Sequence, residues 1–179
     1  MIKIDENKNN PSFRVRKATP EDAEKTISFI KKVAKEHSFG FFEPTEFRVS
    51  VEEQKAYIRK MNRSRNSLFL IAENASGIIG IGTVVEGPRK RNRHAGELSI
   101  SVSAGNYSKG VGTAIMKEID DWAKLVPSTR RIGLKVFANN TQAIAFYKRW
   151  GFDKEGCIRK GAFVKGQFLD VIILGKVYL

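Results

Sequence analysis

The stretch "NYSKGVGTAIMKEIDDWA", residues 106–123, decides the reading of this chain. It passes from a polar turn through Gly110 and Gly112 into an amphipathic helix, directly after the alternating segment "ELSISVS" at 97–103. Alternation reads as a strand and the i, i+4 recurrence of Val111, Ile115 and Ile119, continued by Trp122 and Val126, reads as a helix. The first amides of a helix have no intrahelical acceptor and sit at the positive end of its dipole. Glycines there let a ligand come close to the backbone, and phosphate is the usual occupant.

Two nucleotide motifs fail at named positions. Gly105 and Gly110 have the spacing of a P-loop, but Val111 stands where its lysine is needed. Gly110 and Gly112 begin a dinucleotide fingerprint, but Ile115 occupies the third glycine's place. The turn is expected to hold a phosphate of another kind.

Outward from this stretch, the chain reads as mixed α/β in the order β α α β β β α β α β β. "FRVRKAT" alternates as a strand, and "TPEDAEKTISFIKKVAKEH" follows as a helix with Thr19 as N-cap and Pro20 at its first position. "SVEEQKAYIRKMNR" opens with the capping box Ser50–Glu53. "SLFLIAE" and "GIIGIGTVVEG" are joined by the turn "NASG", a hairpin signal. "RRIGLKVFA" is a strand, and "NTQAIAFYKRWG" a short helix closed by Gly151. "FDKEGCIRK" and "QFLDVIILGKVYL" are the last two strands. No repeat or linker interrupts them, so residues 13–179 are expected to form one domain after a polar lead-in at 1–12.

Composition sets outer bounds. The 179 residues are 41% hydrophobic and 28% charged, enough for one globular core. The single cysteine, Cys157, excludes an internal disulfide and is read as structural. No apolar run reaches membrane-spanning length and no signal-peptide core opens the chain, so a cytoplasmic setting is expected, with no membrane partner. Two histidines and one cysteine make no metal site. Net charge is +13, densest in "PRKRNRH" at 88–94. Such a run is a solvated loop, an attractor for a polyphosphate ligand, or a nucleic-acid contact. No zinc-finger spacing or aromatic–glycine RNA signature accompanies it, so nucleic acid is not required.

A second motif narrows the phosphate. "ANNTQAIAFYKRWGFDKEG", residues 138–156, resembles the Asn-x-x-Ala-x-x-x-Tyr-x-x-x-Gly-Phe pattern of the Gcn5-related N-acetyltransferase superfamily at Asn140, Ala143, Tyr147, Gly151 and Phe152. The earlier turn is similar to that superfamily's Gln/Arg-x-x-Gly-x-Gly/Ala motif over Tyr107, Ser108, Lys109, Gly110, Val111 and Gly112, with Tyr107 departing from the usual first residue. The resemblance spans about residues 13–179. It implies a twisted mixed sheet of seven strands with four helices, the fourth and fifth strands splayed around acetyl-CoA, and frequently a homodimer.

On that resemblance, the amides from Ser108 to Thr113 would take the cofactor's pyrophosphate. Ile100 and Val102 would offer backbone contacts to its pantetheine arm, as a strand edge does to a peptide. The reaction would be attack of an amine on the thioester. An alkyl amine of pKa near 10.4 is mostly protonated at pH 7, and freeing its lone pair costs about 4.6 kcal/mol. A base and an acid are therefore expected. Tyr147 is the implied acid, or a ring packed on Ile144, Ala143 and Trp150. Glu97 is the implied base, or a strand carboxylate paired with Arg91 or Arg93. His94 is a weaker base candidate beside the basic loop. Asn140 would reach the pantetheine region, cap its helix, or do both.

The acceptor is expected between residues 37–60 and the hairpin near Gly161–Gln167. "SFGFFEPTEF" combines aromatic rings with Glu43 and Glu46, which suits an amine, or it is a hydrophobic cover. A small-molecule amine is favoured over a protein N-terminus. The alternatives are an acyl-CoA-binding module without turnover and a basic nucleic-acid or ribosome-associated protein.

Overall fold

The chain was analysed as a computed structural model that describes residues 13–36, 43 and 45–179. The polar lead-in at 1–12, and residues 38–42 and 44 of the aromatic segment, lie outside the described residues.

Seven strands form one sheet in the order β1-β2-β3-β4-β5-β7-β6. They are β1 (Arg14–Lys17), β2 (Leu68–Asn74), β3 (Gly77–Glu86), β4 (Ala95–Val102), β5 (Arg131–Phe137), β6 (Asp153–Val164) and β7 (Gln167–Val177). Four α-helices accompany them: α1 (Ala23–Glu36), α2 (Val51–Arg63), α3 (Val111–Leu125) and α4 (Thr141–Arg149). All neighbouring strands are antiparallel except β4 and β5. That parallel step requires a crossover, and α3 supplies it.

Around β2 the sheet is covered on both faces, which is why that strand reads as a continuous apolar run. Leu68, Leu70 and Ala72 of β2 join the core with Val111, Ile115, Met116 and Ile119 of α3 and Tyr147 of α4. Phe69 and Ile71 point to the other face, against Phe29 and Val33 of α1 and Ile58 and Met61 of α2. Each such aliphatic side chain buried contributes about 2 kcal/mol. Glycines on β3 let α3 sit close, since a Cβ at Gly80 would lie 2.9 Å from Ile115 Cδ1 and from Val111 Cγ1.

Capping signals read correctly in sequence. Ser50 Oγ accepts the N–H of Glu53 while the Glu53 carboxylate accepts the N–H of Ser50, completing the box. The helix expected from Pro20 instead opens as a 3-10 turn over Pro20–Asp22. The Asp22 carboxylate accepts the N–H of Thr19 at 2.8 Å and is held by Arg16, which tightens that turn. Strand β6 runs past the expected 160 to Val164 because an irregularity between Ile158 and Ala162 absorbs the intervening residues. Lys160, at φ 51, is steadied there by its N–H donating to Asp170 at 2.8 Å. Val126, expected inside α3, is its C-cap.

Candidate active site

The site begins where a ladder stops. β4 and β5 pair at Ala95–Arg131, Gly96–Ile132 and Glu97–Gly133, and the pairing ends there. Beyond it, β4 continues to Val102 on the flank of β3, and β5 continues to Phe137 on the flank of β7. The two strands splay, leaving a notch that opens toward their C-terminal ends, the ends where open α/β sheets take ligands. Ile100 and Val102 lie on β4 within the notch and pair outward with Gly82 and Gly80.

The glycine turn closes the wide end of this notch. A 3-10 turn at Ala104–Asn106 leads through exposed Tyr107, Ser108, Lys109 and Gly110 into α3. Ser108 and Gly110 have positive φ, 58° and 81°. A Cβ at Gly110 would meet nothing within 4 Å, so glycine is needed there for its dihedral and the space beside it is open. The first intrahelical bond is from Ala114 N–H to Gly110 O, at 2.9 Å. The amides of Val111, Gly112 and Thr113 thus precede the ladder and head the helix. At Gly112 a Cβ would touch Phe146 and Val102 at an ordinary 3.9 Å.

The turn is anchored from two directions. Buried Ser103 donates its N–H to Ile79 O at 3.0 Å, and Asn106 Nδ2 donates to Ser103 Oγ at 2.9 Å. Ala104 N–H donates to the Glu36 carboxylate at 2.9 Å, tying the turn to the end of α1. No local pattern signals this last contact, since its partners are 68 residues apart.

Tyr147 is 8% exposed and its ring packs edge-on against Phe146 and Phe152, with centroids at 5.3 and 5.7 Å. Ala143, Ile144 and Trp150, the neighbours that helical spacing suggested, pack against the same core cluster. Burial alone pushes its phenol above the ordinary tyrosine range, so the hydroxyl stays protonated throughout the physiological interval. Asn140 caps α4, its Oδ1 accepting the N–H of Ala143 at 3.1 Å.

Glu97 is exposed, opposite Val85 on β3 and at the last β4–β5 pair. Its neighbour Leu98 packs with α3 and α4, so the alternation of a strand turns Glu97 to the face of α1 and α2. Tyr147 and Glu97 therefore approach the notch from opposite faces. The expected ion pair of Glu97 with Arg91 or Arg93 is not formed: Arg93 reaches Glu86 at 3.4 Å, and Glu97 has no ion pair among the described residues.

His94 is exposed, and its carbonyl accepts the N–H of Arg130 at 2.9 Å. Cys157 is also exposed, 3.9 Å from an Asp170 oxygen, so core packing does not explain it. Glu43 N–H donates to Glu46 at 2.6 Å. No cluster of three metal-ligating side chains occurs among the described residues, and no helix among them is long and apolar enough to cross a membrane.

A mixed seven-stranded sheet notched between its parallel pair, with a glycine turn at the notch, defines the class as an acyltransferase fold. The family description "Acetyltransferase (GNAT) domain" matches residues 15–173, and the chain belongs to that family of N-acetyltransferases. It is 31% identical over 112 residues to the L-amino acid N-acetyltransferase AaaT of Escherichia coli, covering 60% of this chain and 67% of that protein. It is 23% identical over 134 residues to the spermidine N(1)-acetyltransferase of Vibrio cholerae, covering 75% of each. The crystal structure of a GNAT-family acetyltransferase from Streptococcus pneumoniae superposes with a TM-score of 0.89 at 30% identity, covering 93% of this chain and 99% of that one. The family's cosubstrate is acetyl-CoA.

Proposed function

We propose that this enzyme moves the acetyl group of acetyl-CoA to the primary amine of a small molecule by direct attack on the thioester. The observation that carries the reading is the β4–β5 ladder ending at Glu97–Gly133 beside a glycine turn with open space at Gly110.

The residues present suit the cosubstrate. Amides of Ser108 to Thr113, with Tyr107 and Lys109 beside them, would hold the pyrophosphate at the head of α3. Backbone groups at Ile100 and Val102 would pair with the pantetheine amides, as a strand edge pairs with a peptide. Asn140 and Ala143 at the start of α4 would flank that arm. When bound, the thioester supplies the acetyl group and a thiolate as leaving group.

The chain's own groups then divide the proton work. Glu97, on the α1/α2 face, would accept the amine's proton directly or through water. Tyr147, on the other face, would offer its O–H to the departing sulfur; its raised pKa keeps that proton in place until negative charge develops. A backbone N–H of β4 would polarise the carbonyl oxygen.

The relatives named for amino-acid and spermidine acetylation support a small amine as acceptor. The net charge of +13 favours an amine that carries its own negative charge, as an amino acid does, over a polyamine. Residues 13–179 acting as one domain, a cytoplasmic setting and a homodimer belong to the same proposal.

Thiol release from acetyl-CoA, screened over amino acids, polyamines, aminoglycosides and N-terminal peptides, tests it. Turnover is expected with amino acids first. Turnover only with peptides would move the acceptor class, and neither turnover nor a thermal shift with acetyl-CoA would overturn the assignment.

A further inference from the structure

The strongest unexplained feature lies at the other end of the sheet. β4 and α3 run in opposite directions, so the loop before β4 and the segment after α3 meet far from the glycine turn. Arg130 N–H donates to His94 O at 2.9 Å, Asn66 Nδ2 to Arg93 O at 3.3 Å, and Ser128 Oγ to Asn66 Oδ1. Three chain segments are thus tied into one surface. Between them and the end of α2 opens a cleft of about 660 Å³.

The two sides of this cleft differ in chemistry. Lys17, Arg63 and Arg65 contribute cations, while Trp122, Leu125 and Pro127 contribute apolar surface, and no lining residue is acidic. Leu125 is 81% exposed, an unusual position for a leucine that closes a helix. Arg89, Lys90 and Arg91 extend the cationic surface along the tied loop. Around this end Arg93 pairs with Glu86, Lys124 with Asp120 and Arg131 with Glu155, while Lys17, Arg63, Arg65, Arg89, Lys90 and Arg91 form no ion pair among the described residues.

We propose that this cleft, walled by Arg63 and Arg65 on one side and Trp122 and Leu125 on the other, binds single-stranded nucleic acid. A strand offers phosphates to the cationic side and unpaired bases to the apolar side, the combination that strand-binding grooves use. A duplex hides its base faces and leaves the apolar wall in water. An acidic peptide satisfies the arginines and leaves that wall equally bare. A lone phosphate needs neither the apolar wall nor the extension over Arg89 to Arg91. The surface is remote from the notch, so this binding is independent of the transferase reading.

The test uses fluorescence anisotropy of the full chain with labelled oligo-U and oligo-dT, a duplex of equal length, polyglutamate, and a mononucleotide as competitor. The single strands are expected to bind best, with log K falling linearly against log salt. Each phosphate contact contributes about 0.7 to that slope, so Arg63→Ser with Arg65→Ser is expected to lower it by about 1.4. Acetyl transfer and melting temperature should stay unchanged, since both side chains are exposed. In Trp150→Phe, which leaves Trp122 as the reporter, binding should quench the fluorescence. Equal affinity for the duplex or for polyglutamate would overturn the proposal. So would competition by the mononucleotide at the strand's own affinity, unquenched Trp122, or no binding at low salt.

Discussion

Lys176 Nζ lies 2.6 Å from Asp120 Oδ1, joining the last strand to the middle of α3 across the core. Asp120 is 4% exposed and also accepts the Tyr178 hydroxyl at 2.9 Å. Burial raises its pKa, but hydrogen bonds from Lys124, Lys176 and Tyr178 outweigh burial, and the net direction is down. Asp120→Ala leaves a part-buried ammonium, then held only by Trp150 O, and a buried phenol without their carboxylate, and is expected to cost about 3 kcal/mol. The Lys124 side chain is 60% exposed, so Lys124→Ala should cost well under about 1 kcal/mol. Urea unfolding of the two variants measures the difference, and equal losses would contradict this account.

Asp22 should be one source of acid sensitivity. Arg16 holds both carboxylate oxygens, at 2.7 and 2.8 Å, and its hydrogen bonds are the main reason the pKa falls to about 2. A depressed folded-state pKa gives stability that is present above the unfolded value near 3.8 and lost as pH falls toward 2. Asp22→Asn is expected to lose about 2 kcal/mol at pH 7 and much less near pH 2. Denaturation at several pH values reads that convergence.

Gly110 and Gly112 should respond differently to alanine. Gly110→Ala forces a Cβ into φ 81°, at a cost of about 1 kcal/mol, and intrudes on the open space at the head of α3. Its KM for acetyl-CoA should rise. Gly112→Ala makes only ordinary contacts at 3.9 Å and should leave stability nearly unchanged. Steady-state kinetics beside melting curves separates the two; identical behaviour would remove the special role given to Gly110.

Tyr147→Phe keeps the ring against Phe146 and Phe152, so folding should survive while kcat drops by about 10²-fold. Because burial places the phenol's titration above the working range, the alkaline side of the rate profile should not move. An unchanged kcat would leave the ring a packing residue.

Glu97→Gln should slow turnover by about 10²-fold at neutral pH, with recovery as the pH approaches the amine's own pKa. There the acceptor sheds its proton unaided. A pH-independent deficit would argue for a role other than proton acceptance.

Much of this was legible in sequence because the signals are local. The Ser50 capping box, the turn between β2 and β3, and Gly151 at φ 81° fixed element boundaries through backbone chemistry. The glycine turn was readable for the same reason. What escaped depends on tertiary approach. Phe152 reaches the Tyr147 ring only after the chain has left α4, a contact that helical spacing does not reveal. Arg93 chose Glu86 over Glu97 because the tied loop directs it there. Glu36 meets Ala104 only because α1 ends beside the notch.

Mechanically, the sheet is two plates, β1 to β4 and β5 with β7 and β6, seamed by three rungs. An extended amide chain laid into the open part of the seam adds rungs that the polypeptide omits. On the proposed binding mode the cosubstrate would also be a splice, and its binding should slow amide exchange in both plates, including strands it never touches. At one hundred times its Kd it would raise the stability of the whole by about 2.7 kcal/mol. On that reading the gap in the ladder is also the place where the sheet's own cohesion is left to be completed by what the enzyme consumes.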